Sequence, residues 1–178
     1  NTENLRNFHD ETKFDELMNS IQEEKIKIKS KIPIVVKISP DISENQISMI
    51  SKILLNHKVS AIIISNTTSK NREKLNNILK HQKGGLSGKP LEEEANKLIS
   101  KFYDLLKGKI EIIGVGGVDS GKSAHRKFLA GASYVQLYTG MVFKGPNIVR
   151  KIKKELKEIL KAEGIKNFRE IIGKKQFN

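Results

Sequence analysis

Four short and nearly continuous apolar runs stand out along the chain, separated by longer segments in which apolar residues recur every three or four positions. The runs cover residues 32–38, 61–65, 110–115 and 134–137. Continuous rather than alternating hydrophobicity is typical of parallel strands that are covered on both faces. The pattern therefore predicts four parallel strands with helices between them.

The segments around these runs carry helix signals. Pro90 precedes three glutamates at positions 92–94, and proline and acidic side chains are both favoured in the first turn of a helix. We prefer this structural role for the glutamates to a catalytic one. The stretch 41–45 contains a candidate N-cap. Helices are predicted over residues 11–28, from 41 to 54, from 90 to 102, over 121–130 and over 147–162.

The resulting order of alternating strands and helices fits two architectures. Right-handed βα units build either an open doubly wound sheet or a (β/α)8 TIM barrel, and four units make up half of the ~250 residues typical of the barrel. The pattern alone leaves both open. In a barrel, the side chains that point inward are expected among Ile34, Val36, Ile62, Ile64, Ile112 and Val135.

Composition narrows the classes of function. Of the 178 residues, 37% are hydrophobic and 30% charged, as in a soluble globular protein. There is no apolar run near the ~20 residues that span a bilayer. The absence of cysteine excludes disulfides and thiolate chemistry. Because the chain begins with Asn1 and its first ten residues carry no strand or helix pattern, we expect it to be cut from a longer protein.

The net charge of +13 raises the possibility of nucleic-acid binding. However, the lysines alternate with glutamates, notably over residues 150–164, as on a solvated helix face. We therefore do not expect a nucleic-acid partner, although this helix could also rest on anionic lipid. The four histidines, His9, His57, His81 and His125, lie far apart; we expect each to be solvated and predict no metal site.

Each predicted strand ends in polar residues or glycines that a core does not need. The first run leads into Lys37 and then Ser39-Pro40-Asp41, and the second into Ser65-Asn66-Thr67-Thr68. The third leads into Gly114-Val115-Gly116-Gly117, and the fourth into Tyr138-Thr139-Gly140. In barrels and open sheets alike, ligands bind at this edge. The sequence therefore predicts a binding site built from all four strand ends.

The glycine-rich stretch 116–121 lies between a strand and a helix, where backbone N–H groups can approach a phosphate. A turn capped by Asp119 and Ser120 explains it equally well. The stretch 138–140 follows the next strand, however, and adjacent loops after the last two barrel strands form the common barrel phosphate site. Together the two loops favour phosphate binding.

Three further features point to the same edge. Lys37 lies within an apolar strand, where an unpaired ammonium is costly, so we expect it to face an anion or a polar ligand; a lysine at the rim of the sheet is the alternative. Asn66 suits a planar ligand with amide-like edges, but also a turn. Residues 84–88, Gly-Gly-Leu-Ser-Gly, should form a loop folding over the site.

In their order and spacing, the motifs VVKISPD, IISNTT, GGLSGKPL, IIGVGGVDSG, GASYVQLYTG and VFKGP resemble those of class 2 dihydroorotate dehydrogenases. The resemblance extends to residue 173. It implies that residues 1–178 are the C-terminal half of an FMN-binding (β/α)8 barrel, supplying about its last four βα units. The N-terminal half and the helices lining a quinone tunnel would then be missing. The lack of cysteine is compatible with class 2, which uses a serine base.

The resemblance also implies roles for individual residues. The cofactor-binding residues would be Lys37, Ser65, Gly88, Gly117, Tyr138 and Thr139, and the substrate-binding residues Asn1, Asn66 and Thr67. Thr2 would help the proton leave. The general-base serine of the family lies two residues upstream of Asn1 and is absent. Two positions depart from the family pattern: Ser65 replaces threonine, and Asn4 stands where glycine is usual.

The activity implied is oxidation of dihydroorotate to orotate, with FMN as hydride acceptor and a quinone as final oxidant, in pyrimidine biosynthesis. The protein would be peripheral on the bacterial cytoplasmic membrane or the mitochondrial inner membrane, held there by its missing N-terminal region. Another FMN-dependent barrel oxidising a hydroxy acid would require a histidine at a strand end, and no histidine follows a predicted strand. A basic nucleic-acid-binding module is the remaining alternative.

Overall fold

The computed structural model describes residues 10–70, 72–73, 75–175 and 177. Four strands and six α-helices follow one another along this part of the chain, with short 3₁₀ helices at Ile78–His81, Lys89–Leu91 and Phe168–Ile171. The strands are β1 (Val35–Ile38), β2 (Ala61–Ile64), β3 (Glu111–Gly114) and β4 (Tyr134–Val135). The helices are α1 (Glu11–Lys27), α2 (Glu44–Asn56), α3 (Glu92–Leu106), α4 (Gly121–Ala130), α5 (Thr139–Lys144) and α6 (Ile148–Ala162).

The four strands form one parallel sheet in the order β1-β2-β3-β4. Lys37 is paired in register with Ile63, which is paired with Ile113, and Ile113 with Tyr134. Each connection therefore moves one strand further in the same direction. An open doubly wound sheet reverses direction at a switch point, whereas a (β/α)8 barrel does not. The observed order is that of consecutive barrel units.

The two faces of the sheet differ in burial. Ile62, Ile64 and Ile112 are almost fully buried in the main hydrophobic core, with Ile34 and Val36 packed against it, and Val135 packs against a second cluster. We expected the inward-pointing residues to be among these six positions, but all six pack on the helix-covered face. Because side chains alternate along a strand, the concave face carries the row from Lys37 to Tyr134 described above, with Val35 43% exposed.

Helices cover the opposite face of the sheet. Helices α2 and α3 contribute Ile50, Leu54, Ile99 and Phe102 to the main core, together with Met18 of α1. A second cluster joins α4 and α6 around Phe128, Ile148 and Ile152. This one-sided covering leaves the concave face and the carboxyl ends of the strands accessible for a site.

The predicted helices are confirmed with small shifts at their ends, whereas the short α5 was not predicted. Helix α2 is capped within the expected stretch by Ser43, whose hydroxyl accepts from the Gln46 amide at 3.3 Å. Among the described residues, none of the helices combines the length and apolar content needed to cross a bilayer.

Two of the four histidines contradict the expectation that they are solvated. The His57 side chain is only 11% exposed and lies 2.8 Å from an Asp15 oxygen, which ties α2 to α1. His125 is buried and lies 3.0 Å from an oxygen of Glu163, just beyond α6. His81 is exposed as expected, and His9 lies outside the described residues.

Candidate functional site at the carboxyl ends of the strands

A cavity of about 580 Å³ opens at the carboxyl ends of the strands. All six described residues predicted to bind the cofactor line it, as do two predicted to bind substrate: Lys37, Ser65, Asn66, Thr67, Gly88, Gly117, Tyr138 and Thr139. Apolar wall comes from Pro90, Leu91, Val115 and Leu137. The structure thus brings the separate strand-end motifs together around one space.

The 84–88 loop, predicted to fold over the site, lines the cavity through Ser87 and Gly88. An antiparallel bridge joins Leu86 to Thr68, with N–H···O distances of 2.7 and 3.1 Å. A β-carbon on Gly85 would overlap the Thr67 hydroxyl at 1.9 Å, and one on Gly88 would lie 2.8 Å from Cγ2 of Thr139. Glycine is needed at both positions because the loop is in direct contact with the ends of β2 and β4.

The loops after β3 and β4 are also in contact. A β-carbon on Gly140 would lie 2.6 Å from the carbonyl oxygen of Val118. At the neighbouring position, Gly117 has a φ of +77° and lies against Glu92, so that an added β-carbon would be 2.8 Å from the Glu92 Cα. These two glycines allow the start of α5 and the start of α3 to enclose the 116–118 loop.

The first turn of α4 is capped by its own side chains. The Ser120 hydroxyl accepts from the Ser123 amide at 3.2 Å, the Ser123 hydroxyl accepts from the amides of Asp119 and Ser120, and Glu155 accepts from the Gly121 amide at 2.6 Å. Capping by Ser120 is therefore observed, and it uses amides other than those of Gly117 and Val118.

Other amides at the site remain available. Within the described part of the chain, the N–H groups of Gly117, Val118, Thr139 and Gly140 make no hydrogen bond. All four belong to loops that line the cavity, and Thr139 and Gly140 form the first turn of α5, where N–H groups have no partner within the helix. These four amides are therefore unpaired donors in the loops around the cavity.

Charged side chains flank the same region. Lys144 donates to the carbonyl and carboxylate oxygens of Asp119 at 3.0 and 3.1 Å, and Lys89 lies 3.9 Å from that carboxylate. Burial acts to raise the pKa of Asp119, but the hydrogen bonds from Lys144 and Ser120 and the charge of Lys89 outweigh it and lower the pKa below its usual value. Asp119 is therefore ionised and neutralised by its neighbours.

Glu92, one of the three glutamates predicted to stabilise the first turn of α3, also makes contacts outside that helix. Glu92 is buried, and its carboxylate accepts from Arg126 at 2.9 Å and forms an ion pair with Lys89. Glu93 pairs with Arg126 as well. Among these, Glu92 joins α3, α4 and the loop before α3 directly behind Gly117.

Asp41 lies at the predicted edge but has a role that the sequence did not indicate. Its carboxylate accepts from the hydroxyl of Thr68 and from the amide and hydroxyl of Ser69, the latter two at 2.9 Å. It therefore fixes the loop that presents Asn66 and Thr67 to the cavity. Its position just beyond β1, after Ser39 and Pro40, was a possible signal, but a helix-cap role explained it first.

Asn1 and Thr2, predicted to bind substrate and to relay a proton, lie outside the described residues, as does Asn4. No group of three or more histidine, aspartate or glutamate side chains in the described part of the chain is arranged to hold a metal ion. The site is therefore built from amides, hydroxyls, lysines and glycine backbone.

Comparison with known proteins identifies the family. The family model described as dihydroorotate dehydrogenase matches residues 1–160. The chain belongs to the dihydroorotate dehydrogenase family. Membership of this family implies a flavin cofactor, and the resemblance drawn from the motifs is confirmed.

Two relatives from the dihydroorotate dehydrogenase family are named as quinone-dependent enzymes. Dihydroorotate dehydrogenase (quinone) of Buchnera aphidicola subsp. Schizaphis graminum is 40% identical over 162 residues, 88% of this chain and 48% of that protein. The mitochondrial enzyme of Mus musculus is 38% identical over 175 residues, 97% of this chain and 44% of that protein. The chain thus spans about half the length of the curated relatives it matches.

A solved structure gives the same picture in three dimensions. The crystal structure of ligand-free dihydroorotate dehydrogenase from Eimeria tenella superposes with a TM-score of 0.92 at 31% identity, covering 98% of this chain and 53% of that one. The predicted fold, consecutive βα units of a TIM barrel, is confirmed.

Proposed function

We propose that the chain is the C-terminal half of the FMN-binding barrel of a quinone-dependent dihydroorotate dehydrogenase, which oxidises dihydroorotate to orotate in pyrimidine biosynthesis. The observation that carries the proposal is that the family motifs, separated by up to a hundred positions in sequence, line one cavity at the strand ends. Ligands bind at this edge in barrels. The matches to quinone-dependent relatives support the same assignment.

The residues of the cavity fit FMN. The free amides of Gly117 and Thr139 face a common space next to two lysines, which suits a phosphate. Gly88 and Tyr138 belong to the same group of lining residues, and the apolar surface of Leu91, Val115 and Leu137 suits a planar ring. FMN, when bound, supplies the hydride-accepting chemistry. Gly88, Gly117, Tyr138 and Thr139 would hold it from the phosphate side.

Lys37 and Ser65 would contact the cofactor at the ends of β1 and β2. Lys37 lines the cavity and is the third residue of the otherwise apolar strand β1. Placed beside a ring that gains negative charge on reduction, a fixed cation stabilises the product of the step more than its starting state. Ser65 is buried beside it and its hydroxyl is within 3.1 Å of the Asn66 carbonyl.

The substrate would bind between the cofactor and the loop after β2. Asn66 is exposed, its carboxamide oxygen accepts from the Thr67 amide at 2.9 Å, and both residues line the cavity. The Asn66 carboxamide nitrogen can donate to a pyrimidine carbonyl. Asn1 would contribute a second carboxamide. Thr2 would relay the proton taken from the substrate by a serine that lies upstream of Asn1 in the family pattern.

An exposed apolar surface adjoins the cavity and suits the quinone. Tyr138 is 79% exposed and Phe143 83%, and both line the cavity, while Val142 next to them is also exposed. A contiguous apolar patch at a ligand site is typical of a further binding surface. We propose that a quinone and the missing N-terminal region cover it, holding the protein peripherally on the bacterial cytoplasmic membrane or, in a eukaryote, on the mitochondrial inner membrane.

The proposal is tested on the full-length protein. We expect the purified protein to show the visible absorption of a flavin, to release FMN rather than FAD on denaturation, and to reduce a ubiquinone analogue when dihydroorotate is supplied. Lactate serves as the control substrate, because another flavin barrel that oxidises hydroxy acids would respond to it. A flavin that is reduced by lactate and not by dihydroorotate, or a protein without flavin that binds nucleic acid, would overturn the proposal.

A further inference from the structure

Lys127 is a fully buried lysine to which the proposed reaction gives no role. Its side chain lies within α4 with 0% exposure, and its Nζ donates to the Asn96 carboxamide oxygen at 2.6 Å and to the Glu92 carbonyl oxygen at 3.3 Å. Burial of an ammonium costs several kcal/mol unless it is paired and hydrogen-bonded, and methionine would fill a similar volume at a lower cost. An amine at this position therefore indicates a polar role.

The two acceptors of Lys127 both belong to the start of α3. Within the described residues the Asn96 amide nitrogen has no hydrogen-bond partner, so the carboxamide is oriented by its oxygen, which faces Lys127. The stem of Lys127 packs beneath the end of β3, since a β-carbon on Gly114 would lie 3.0 Å from its Cδ. Lys127 thus joins α4, the first turns of α3 and the strand that leads into the 116–118 loop.

The 116–118 loop lies against Glu92. A β-carbon on Gly117 would be 2.4 Å from the Glu92 Cβ and 2.8 Å from its Cα. The Glu92 carboxylate is bound by Lys89 and Arg126, while its main-chain carbonyl is bound by Lys127. Any movement of the Glu92 main chain would therefore displace Gly117 and the free amides beside it.

We propose that Lys127 is a positioning residue for the cofactor phosphate. By hydrogen-bonding to the main-chain carbonyl of Glu92, it fixes the position of the 116–118 loop, whose amides bind the phosphate. The inference depends on the proposed binding of FMN. It predicts that Lys127 affects recognition of the phosphate without touching it, whereas Lys37, at the other side of the cavity, affects the ring.

The electrostatic surroundings agree with this role. The charged groups that act on Lys127 are Glu92 and Glu93 of α3, Arg126 of α4 and Lys89 of the preceding turn. Burial lowers the pKa of Lys127 to about 7, and the attraction of Glu92 opposes this. Since the neutral amine can still donate two hydrogen bonds, the link to Glu92 and Asn96 can be kept in either protonation state.

The test compares FMN with riboflavin, which lacks the phosphate, on the full-length apoprotein by quenching of flavin fluorescence. Lys127→Met should raise the FMN dissociation constant by about ten- to a hundredfold, the loss of one or two positioned hydrogen bonds, and leave that of riboflavin within about twofold. The exposed Lys122 on the same helix gives the matched control, Lys122→Met, which should change neither constant.

A second variant keeps the inference testable if Lys127→Met does not fold. Lys127→Met combined with Asn96→Leu replaces both buried polar partners by apolar groups of similar size, so it should fold. It still removes the Lys127 hydrogen bond to the Glu92 carbonyl and should show the same selective loss of FMN affinity. Equal weakening of both flavins, or unchanged FMN affinity, would overturn the positioning role. Failure of the wild-type apoprotein to bind FMN would instead overturn the proposed function, and the inference with it.

Discussion

The hydroxyl oxygens of Ser87 and Thr139 lie 2.9 Å apart although the two residues are 52 positions apart in sequence. Ser87 belongs to the loop before α3, and Thr139 begins α5 after β4. The bond joins two loops that both line the cavity, next to the close contact between Gly88 and Thr139. The cavity is therefore closed on this side by hydrogen-bonded loops and not by the sheet alone.

The close approach of Gly140 to Val118 gives a first prediction. A β-carbon on Gly140 would meet the Val118 carbonyl oxygen at 2.6 Å, and a main-chain group cannot rotate away as a side chain can. Gly140→Ala should therefore separate the two loops and raise the FMN dissociation constant of the full-length protein by at least about tenfold, which corresponds to ~1.4 kcal/mol.

The control for Gly140→Ala is Met141→Ala, one position further along the same helix, where the side chain is 41% exposed. The dissociation constants of Gly140→Ala and Met141→Ala should differ less for riboflavin than for FMN, because the affected amides are proposed to bind the phosphate. FMN affinity that is equal in wild type and Gly140→Ala would show that the two loops do not need this contact.

Lys37 is predicted to act on the flavin ring. Lys37→Ala in the full-length protein should lower the flavin potential and slow reduction by dihydroorotate, because the cation that stabilises the reduced ring is removed. Stopped-flow absorbance measures the rate, and FMN occupancy is determined in the same sample. A wild-type rate at full occupancy would remove Lys37 from the site.

Asn66 is predicted to act on the substrate. Asn66→Ala should raise the orotate dissociation constant by about one to two orders of magnitude, since a lost hydrogen bond leaves a buried ligand group unpaired at a cost of ~1–3 kcal/mol. The readout is titration of the flavin spectrum with orotate. FMN affinity should be retained, and a variant with wild-type orotate affinity would contradict the assignment.

Lys127 makes the stability of the fold depend on pH. Its pKa is lowered to about 7 in the folded chain, against ~10.4 for an unperturbed lysine. Between these values the unfolded chain binds a proton that the folded chain does not, so stability rises with pH through this window. Below about pH 7 both states carry the proton, so the cost of burying the Lys127 charge is present in full and no longer changes with pH. The slope is at most ~1.4 kcal/mol per pH unit.

Thermal unfolding of the wild-type protein and of Lys127→Met at several pH values checks this directly. We expect the wild type to gain stability relative to the variant as the pH rises above about 7, while Lys122→Met follows the wild type. Parallel curves for wild type and Lys127→Met would mean that the amine is protonated throughout this range or that it does not remain buried.

The sequence predicted the sheet better than it predicted which way the strands face. Continuous apolar runs locate strands, but a run that is apolar at every position carries no alternation, so Ile62 and Ile64 could not be distinguished from Ile63. The structure resolves this through the register of Lys37 with Ile63 and Ile113. Lys37 is the one polar residue in its strand. Its position could have indicated from the sequence which side chains face the barrel interior.

The parts of the site that escaped prediction depend on contacts distant in sequence. Asp41 holds Thr68 and Ser69, and Lys127 holds Glu92 and Asn96, each across more than twenty positions. Each residue also had a simpler explanation from its neighbours in sequence: Asp41 as a helix cap and Lys127 as an ordinary helical lysine. The glycine motifs were found because their chemistry lies in the backbone of consecutive residues.

The measurement that tests the account most directly compares residues 1–178 alone with the same segment expressed together with the preceding half of the protein. The concave face that carries Val35, Lys37 and Tyr134 is open in this chain, and exposed strand edges and apolar faces favour association. Flavin retention, size by light scattering, and dye reduction driven by dihydroorotate are followed in both samples. We predict that the segment alone dimerises, aggregates or stays partly molten, keeps no flavin and has no activity, and that the two halves together recover both. A monodisperse monomer of the isolated segment that retains FMN and turns over near the full-length rate would contradict the account.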